Sequence, residues 1–524
     1  MRTYARALTA AALIAGVILS TGAVLAAHAT FSTRTAASAA SGEATEPGAQ
    51  TTPTDTEAAK VDAYLRERMD ATKTPGMAYA IVSPESIEHI GTWGENGDGA
   101  PITADTPFLW GSVSKPVTAT AVMTLVENGS IDLDKPVHSY VPEFTLADEE
   151  LAGLITVRHL LEQTSGIPEG TGATDRFGRR QEPYADAVAD LADVQPLSVP
   201  GEEFEYASEN YLLLGAVVEA VADQPFHEYL RKHVLGPLEM TGAITTPDGA
   251  DDALADGHSY AFGQPVSVPA HYDQSGPSYG YLGGTVQDLA QFAMAHLNDG
   301  AYGSVQVLGS ESVELAHAGA AHVTDSISYG FGWRDDTRNE DLGTRTVWHS
   351  GAVHGYQATL VLLPELERGI VVVQNIYGFF QDWELVATGL NAGRILAGGE
   401  PEPISSGPAY AFTLGGLVAT LAGIAGATGW PAYRTLRGQA APAQRRRTLV
   451  TTACWTVAGL ALAYVAGVAL PDSVGAGLPL IRLWAPDVGW LLSAVVVGSL
   501  LLATARLTTG VVRFNRIDES HHLE

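Results

Sequence analysis

Two regimes of hydrophobic patterning divide the chain. Up to about residue 402, apolar positions come in short bursts set off by charged and turn-forming residues; beyond it they run on almost without charge. In the first regime, "AAKVDAYLRERMDAT" has helical spacing, while "GMAYAIVS" and "SIEHIGTWGE" read as a strand pair. "SKPVTATAVMTLVENGSIDLDKPV" reads as a helix stopped at Asn128-Gly129, and "ITVRHLLEQTSGI" as a short helix behind a cap at Thr156. "ENYLLLGAVVEAVADQPFHEYLRKHVL" gives two helices broken at Pro225, and "TVQDLAQFAMAHLNDG" a further helix halted by glycine. Three adjacent strands follow in "RTVWHSG", "YQATLVLLPEL" and "RGIVVVQNI", with Pro364 in the second turn. Strands at both ends and helices between predict an α+β fold: one antiparallel sheet whose first and last strands meet, flanked by helices, with a helical subdomain inserted.

The second regime predicts membrane helices. Residues 403–433, 448–471 and 488–505 contain no Asp, Glu, Lys or Arg, and roughly 20 apolar residues span a bilayer. Three transmembrane helices are expected at about 409–430, 449–470 and 488–505, within a membrane domain at 403–516 that leaves a tail at 517–524. Arg434, Arg437 and Arg445–Arg447 lie in the first connection and Arg506, Arg513 and Arg516 at the far end, against Arg482 alone in the loop between. Basic residues stay cytoplasmic, which puts residues 58–402 outside the cytoplasm. The other end agrees: Arg2 and Arg6 precede a charge-free run with "AHA" at 27–29, so residues 1–29 read as an export signal or a retained anchor. Residues 30–57, rich in Ala, Ser, Thr, Pro and Gly, read as a disordered tether.

Charge narrows the partners. The chain carries 59 Asp+Glu against 29 Lys+Arg, the excess falls in residues 58–402, and such a domain repels nucleic acid. The single cysteine, Cys454, permits neither an intrachain disulfide nor a cysteine metal cluster. No His/Asp/Glu spacing reads as a metal site and no glycine-rich phosphate loop occurs, so neither metal nor cofactor is expected. Arg176, Arg179 and Arg180 concentrate positive charge in this acidic domain. They read as a solvated loop relieving repulsion, or as a clamp for a substrate carboxylate.

Candidate chemistry sits in "FLWGSVSKPVTATAVMTLVE". Of the five lysines, only Lys115 has a serine, Ser112, three positions before it, and i and i+3 share a helix face. Pro116 fits only a first turn, which places the helix start near Ser112. A serine hydroxyl needs a base, and a lysine becomes one when burial and a helix N-terminus lower its pKa. The alternative is a lysine lying its stem on apolar surface with its head in water.

The stretch "FLWGSVSKPVTATAVMTLVENGSIDLDKPVHSYVP" resembles the nucleophile region of the serine β-lactamase and penicillin-binding-protein superfamily, most closely its class C β-lactamase, DD-peptidase and esterase branch. "ITVRHLLEQTSGIP", "GEEFEYASENYLLLGAVVEAV", "GYLGGTVQDLAQF" and "VWHSGAVHGYQATLVLLPE" resemble further family segments in the family's order, over roughly residues 58–395. The resemblance implies a β-lactamase/transpeptidase-like fold in which Ser112 becomes acylated, Lys115 takes its proton and Tyr206 is the second proton-transfer group. It also implies that His349 stands where many β-lactamases carry lysine, that Gly351 lets the strand approach the substrate, and that the backbone N–H groups of Ser112 and Ala352 form the oxyanion hole. Ser208 replaces the asparagine frequent in the family, which weakens amide-type substrates more than esters. The implied protein is a membrane-anchored extracytoplasmic serine hydrolase acting on carboxylic esters or D-amino-acid peptides. The alternatives are a β-lactamase or DD-carboxypeptidase, or a penicillin-recognising sensor that acylates without turnover. Partners are then a small ester, peptide or β-lactam substrate and the membrane.

Overall fold

A computed structural model describes residues 55–437 and 444–521, so the signal region and nearly all of the tether lie outside the described residues. Two compact units divide the chain near Ser406.

In the first unit, α1 (Asp55–Thr72), which begins inside the expected tether, leads to β1 (Gly76–Val82) and β2 (Ile87–Gly94). The inserted helical part holds α2 (Ser114–Glu127), α3 (Val157–Leu161), α4 (Ser208–Ala222), α5 (Val286–Leu297) and α6 (Ser310–His317). The chain then returns through β3 (Ala321–Thr324), β4 (Ile327–Tyr329), β5 (Arg334–Asp336), β6 (Thr346–Val353), β7 (Tyr356–Leu363) and β8 (Arg368–Gln374) to α7 (Asp382–Leu396).

These eight strands form one antiparallel sheet in the order β2-β1-β8-β7-β6-β5-β4-β3. First and last strands meet as expected, Met77 opposite Gln374 and Val82 opposite Gly369. Alternation explains the unbroken apolar run of β1: Met77, Tyr79 and Ile81 pack on Val61 and Leu65 of α1 and Leu390 of α7, whereas Ala78, Ala80 and Val82 enter the core shared with α2 and α5. A strand covered on both faces has no polar side to show. Each such Val, Ile or Leu contributes about 1.5–3 kcal/mol, and an aspartate in place of Val372 would bury a charge between the sheet and helices α1 and α7. Strands β3–β5 and helix α7 were not read from the sequence. The strands have only three or four residues each, too few for a period to emerge, and Gly389 and Gly393 interrupt the apolar spacing of α7.

The second unit contains α8 (Ala409–Leu436), α9 (Arg445–Tyr464) and α10 (Pro486–His521). The candidate spans are Ala409–Pro431, Arg445–Ser473 and Pro486–Asn515, each long and apolar enough to cross a membrane. They coincide with the three charge-free runs, and α10 continues past residue 505 as helix.

Candidate active site

Ser112 sits in a single 3₁₀ turn, Gly111–Val113, immediately before α2. Three contacts pin this turn. Phe108 and Leu109 pair with Gly284 and Gly283. The Trp110 N–H donates to the Leu282 carbonyl at 2.8 Å, and the Ser114 hydroxyl donates to the Gly111 carbonyl (2.7 Å) while accepting from the Leu282 N–H (3.1 Å). Pro116 occupies the first turn of α2, where its missing N–H costs nothing.

Strand β6 presses against this turn through two glycines. Gly111 has φ +56, and a Cβ there would overlap the Ala352 nitrogen. A Cβ on Gly351 would overlap the Trp110 carbonyl oxygen and lie 2.5 Å from the Ser112 nitrogen. Two glycines facing each other therefore bring β6 directly against the nucleophile turn, with the Ala352 nitrogen beside Gly111 and the Ser112 nitrogen beside Gly351.

Lys115 is fully buried. Its Nζ donates to Ser112 Oγ at 2.9 Å, to the Tyr279 carbonyl at 2.8 Å and to Ser208 Oγ at 3.4 Å, using all three ammonium donors. Burial lowers its pKa to about 8, against Glu169, Glu209 and Asp175, which pull it up. This is the buried lysine of the two alternatives, not the one reaching for water.

Tyr206 stands just before α4, its ring centroid 4.9 Å from Lys115 Nζ. Burial raises its pKa, and a hydrogen bond with Ser112 works against the rise, so at neutral pH it is a phenol that can donate a proton. Its loop is held by Gln163, itself at φ +60. The Gln163 amide oxygen accepts from the Ala207 N–H at 3.0 Å and from Asn210 Nδ2, while its backbone carbonyl accepts from the Glu205 N–H at 2.8 Å. The Ser208 N–H donates to the Glu169 carboxylate. Surrounding protein and then Glu209 raise the pKa of Glu169 and Lys115 opposes them; because the residue keeps solvent contact, screening tempers that rise.

His349 is 2% exposed and does not hydrogen-bond Ser112. Its Nδ1 lies 2.6 Å from the Ser350 carbonyl, an acceptor, so Nδ1 carries the proton and Nε2 accepts from the Tyr329 hydroxyl at 3.1 Å. Burial, then Arg334 and Lys115, push its pKa well down, leaving a neutral ring 6.2 Å from that of Tyr206. The Arg334 guanidinium reaches the same wall, 5.8 Å from the Tyr206 ring and 5.4 Å from that of Trp348. The arginine loop is spent on acids instead: Arg176 pairs with Asp190 at 2.5 Å and Arg179 with Asp248 at 2.6 Å, which fits relief of repulsion.

The structure thus gathers Ser112, Lys115, Tyr206, Ser208, Gly351 and Ala352, with His349 one layer back. Sequence reading missed Gln163, Glu169, Tyr279, Tyr329 and Arg334. Gln163 lies inside the quoted "LLEQTSGIP", Glu169 directly after it and Tyr279 directly before "GYLGG", so these three had a signal; Tyr329 and Arg334 are placed by tertiary folding. Among the described residues, no cluster of His, Cys, Asp or Glu is arranged to hold a metal ion.

Comparison with known proteins bears on this arrangement. A family profile described as Beta-lactamase matches residues 61–390. Penicillin-binding protein 4 of Amycolatopsis lactamdurans is 31% identical over 367 residues, covering 66% of this chain and 96% of that one. Protein flp of Staphylococcus aureus strain MW2 is 26% identical over 326 residues, 60% of this chain and 63% of its own length. Among solved structures, the octameric penicillin-binding protein homologue from Pyrococcus abyssi superposes with a TM-score of 0.57 at 26% identity, covering 68% of this chain and 80% of that one. With the profile spanning the whole sheet and its helical insertion, the chain belongs to the β-lactamase family of serine hydrolases, among homologues of the penicillin-binding proteins.

Proposed function

We propose that this protein is a membrane-anchored hydrolase that acylates Ser112 and works outside the cytoplasm on carboxylic esters or on D-amino-acid peptides. The observation that carries the reading is Lys115 Nζ, buried, depressed to about 8 and 2.9 Å from Ser112 Oγ. Neutral Lys115 takes the Ser112 proton as the hydroxyl attacks the carbonyl. The Ser112 and Ala352 N–H groups hold the oxyanion, and Tyr206 protonates the leaving group. Water then reverses the sequence and frees the acid. His349 and Tyr329 position Tyr206 from behind. Arginine placement, dense at the ends of the apolar helices that the first connection joins, supports the extracytoplasmic orientation.

Two residues bear on the substrate. Ser208 lacks the amide NH₂ of asparagine, which favours esters. Arg334 favours substrates ending in a carboxylate: its guanidinium stands beside Tyr206, and no carboxylate among the described residues forms an ion pair with it. The test uses the full chain in detergent with Ser112→Ala, a fluorophosphonate probe, a fluorescent penicillin, nitrophenyl esters and D-Ala-terminated peptides. Labelling and turnover confined to the wild type support the reading, and the penicillin lane grades closeness to a β-lactamase or DD-carboxypeptidase. Equal labelling of Ser112→Ala refutes it, and stable labelling without turnover of any substrate makes the protein a sensor.

A further inference from the structure

The apolar helices carry a feature that anchoring does not require. At the end where the arginines gather, α8, α9 and α10 enclose a cavity of about 510 Å³. Its wall holds Arg506 and Arg513 together with Thr448, Thr452 and Thr509, and none of the described residues lining it is acidic. Seven residues apart, the two arginines share one face of α10. Arg506 follows directly on the charge-free run 488–505 and lies within the candidate span Pro486–Asn515, where an ionised side chain is costly and marks a site. One of its terminal nitrogens donates to the Ala427 carbonyl, its guanidinium carbon lies 4.6 Å from the Trp455 ring centroid, and Nε is buried without a hydrogen-bond partner. No carboxylate among the described residues pairs with Arg506.

A second space adjoins the first. An apolar groove of about 350 Å³ runs between α9 and α10, lined by Leu449, Val457, Leu507, Val511 and Phe514. It shares Thr448, Thr452 and Gly510 with the cationic cavity. A cationic pocket continuous with an apolar groove matches an anion carried on a hydrocarbon chain. We propose that this is a binding site for an anionic phospholipid, the phosphate on Arg506 and Arg513 and one acyl chain along the α9–α10 groove. Guanidinium groups suit phosphate because their planar forks donate in parallel pairs. The inference rests on the membrane-anchored reading of these helices but not on the chemistry of Ser112.

The full chain in a non-ionic detergent is titrated with phosphatidylglycerol, with phosphatidylcholine of the same chains and with inorganic phosphate. Bound lipid is counted by native mass spectrometry and Tm is followed in parallel. Phosphatidylglycerol should remain bound and raise Tm, phosphatidylcholine should bind about tenfold more weakly, and inorganic phosphate should do neither. Arg506→Gln and Arg513→Gln should each weaken phosphatidylglycerol binding about tenfold, with Arg446→Gln, outside the cavity, as the unchanged control. Should Arg506→Gln fail to fold, Arg513→Gln and the lipid comparison on the wild type still decide. Equal binding of both lipids, or phosphatidylglycerol binding unaffected by the cavity variants, overturns the proposal. A Tm rise with inorganic phosphate equal to that with lipid overturns the lipid as occupant. Failure of the anchor itself shows separately, as full-length protein that stays in solution without detergent.

Discussion

Lys115 is the group whose titration should be visible in the rate. With its pKa at about 8, the neutral amine makes up about 1% of the population at pH 6, about 9% at pH 7 and about half at pH 8. A base that acts only when neutral therefore drives kcat/KM for an uncharged nitrophenyl ester up about fiftyfold from pH 6 to 8, levelling above about pH 9. Glu169 heads the carboxylates that raise this pKa, and Lys115 in turn opposes the rise of Glu169, so the limb belongs to the pair rather than to Lys115 alone. Glu169→Gln removes that negative charge, so the limb should move to lower pH and the rate at neutral pH should increase. Lys115→Gln should leave a profile without the limb and a rate lower by about 10²–10⁴. Initial rates in constant-ionic-strength buffers from pH 5.5 to 9.5, with Tm measured at each pH, separate catalysis from unfolding. A flat wild-type profile, a limb that survives Lys115→Gln, or one that moves upward in Glu169→Gln would refute the assignment of Lys115 as base.

Three further outcomes follow from the geometry. Gly351→Ala drives a Cβ into the Trp110 carbonyl and toward the Ser112 nitrogen; kcat should fall about 10²–10³-fold with a stability loss of about 1–3 kcal/mol, read by ester kinetics and urea melts. Arg334→Gln should raise KM for D-Ala-terminated peptides about ten- to a hundredfold and leave neutral esters nearly untouched; an equal loss on both would move Arg334 from substrate binding to tuning the site. Behind α2, the Thr120 hydroxyl donates to the Pro116 carbonyl, so His296 Nε2 must donate to Thr120 and His296 Nδ1 must accept from His317 Nε2. Both histidines are buried and held neutral, burial pushing His296 down to about 3 and His317 well below its usual value. Their folded pKa values lie below the unfolded one, so their contribution is whole above about pH 6.5 and is lost as pH falls from there toward 3, by about 1.4 kcal/mol per histidine per pH unit. Because Asp175, raised to about 6 chiefly by burial, shifts stability the opposite way, the readout is the slope of stability against pH in wild type and in His317→Gln; identical slopes between pH 7 and 5 would refute it.

Legibility in the sequence tracked how local the determining physics is. The nucleophile helix, the Thr156 cap and the strands β1, β6, β7 and β8 are written in consecutive residues, and the pairing of first and last strands followed from strands at both ends of the domain. Ser112 and Lys115 were legible because three residues separate them on one face. Arg334 was not, because its neighbours Tyr206 and Trp348 come from different parts of the chain. His349 stood out by motif, yet its partner Tyr329 lies on β4, a strand too short to carry a period. The acids around Lys115 escaped notice for another reason: in a domain this acidic, charge alone does not set Glu169 and Glu209 apart from solvated surface acids.

The pairing of β1 with β8 also sets when the domain can fold. β1 needs β8 as a neighbour, and the two are joined by nearly the whole catalytic part of the chain, so closure of the sheet is a long-range event of high contact order, intrinsically slow. During synthesis, the early strand must wait with one edge open until Gln374 has emerged, and Ala409, the start of the first apolar helix, follows shortly after. An exposed strand edge is an aggregation hazard in a partly folded chain. Because the apolar helices follow β8 in the chain, they reach a membrane only once every strand of the sheet has emerged, so the open edge of β1 is exposed before anchoring rather than after it.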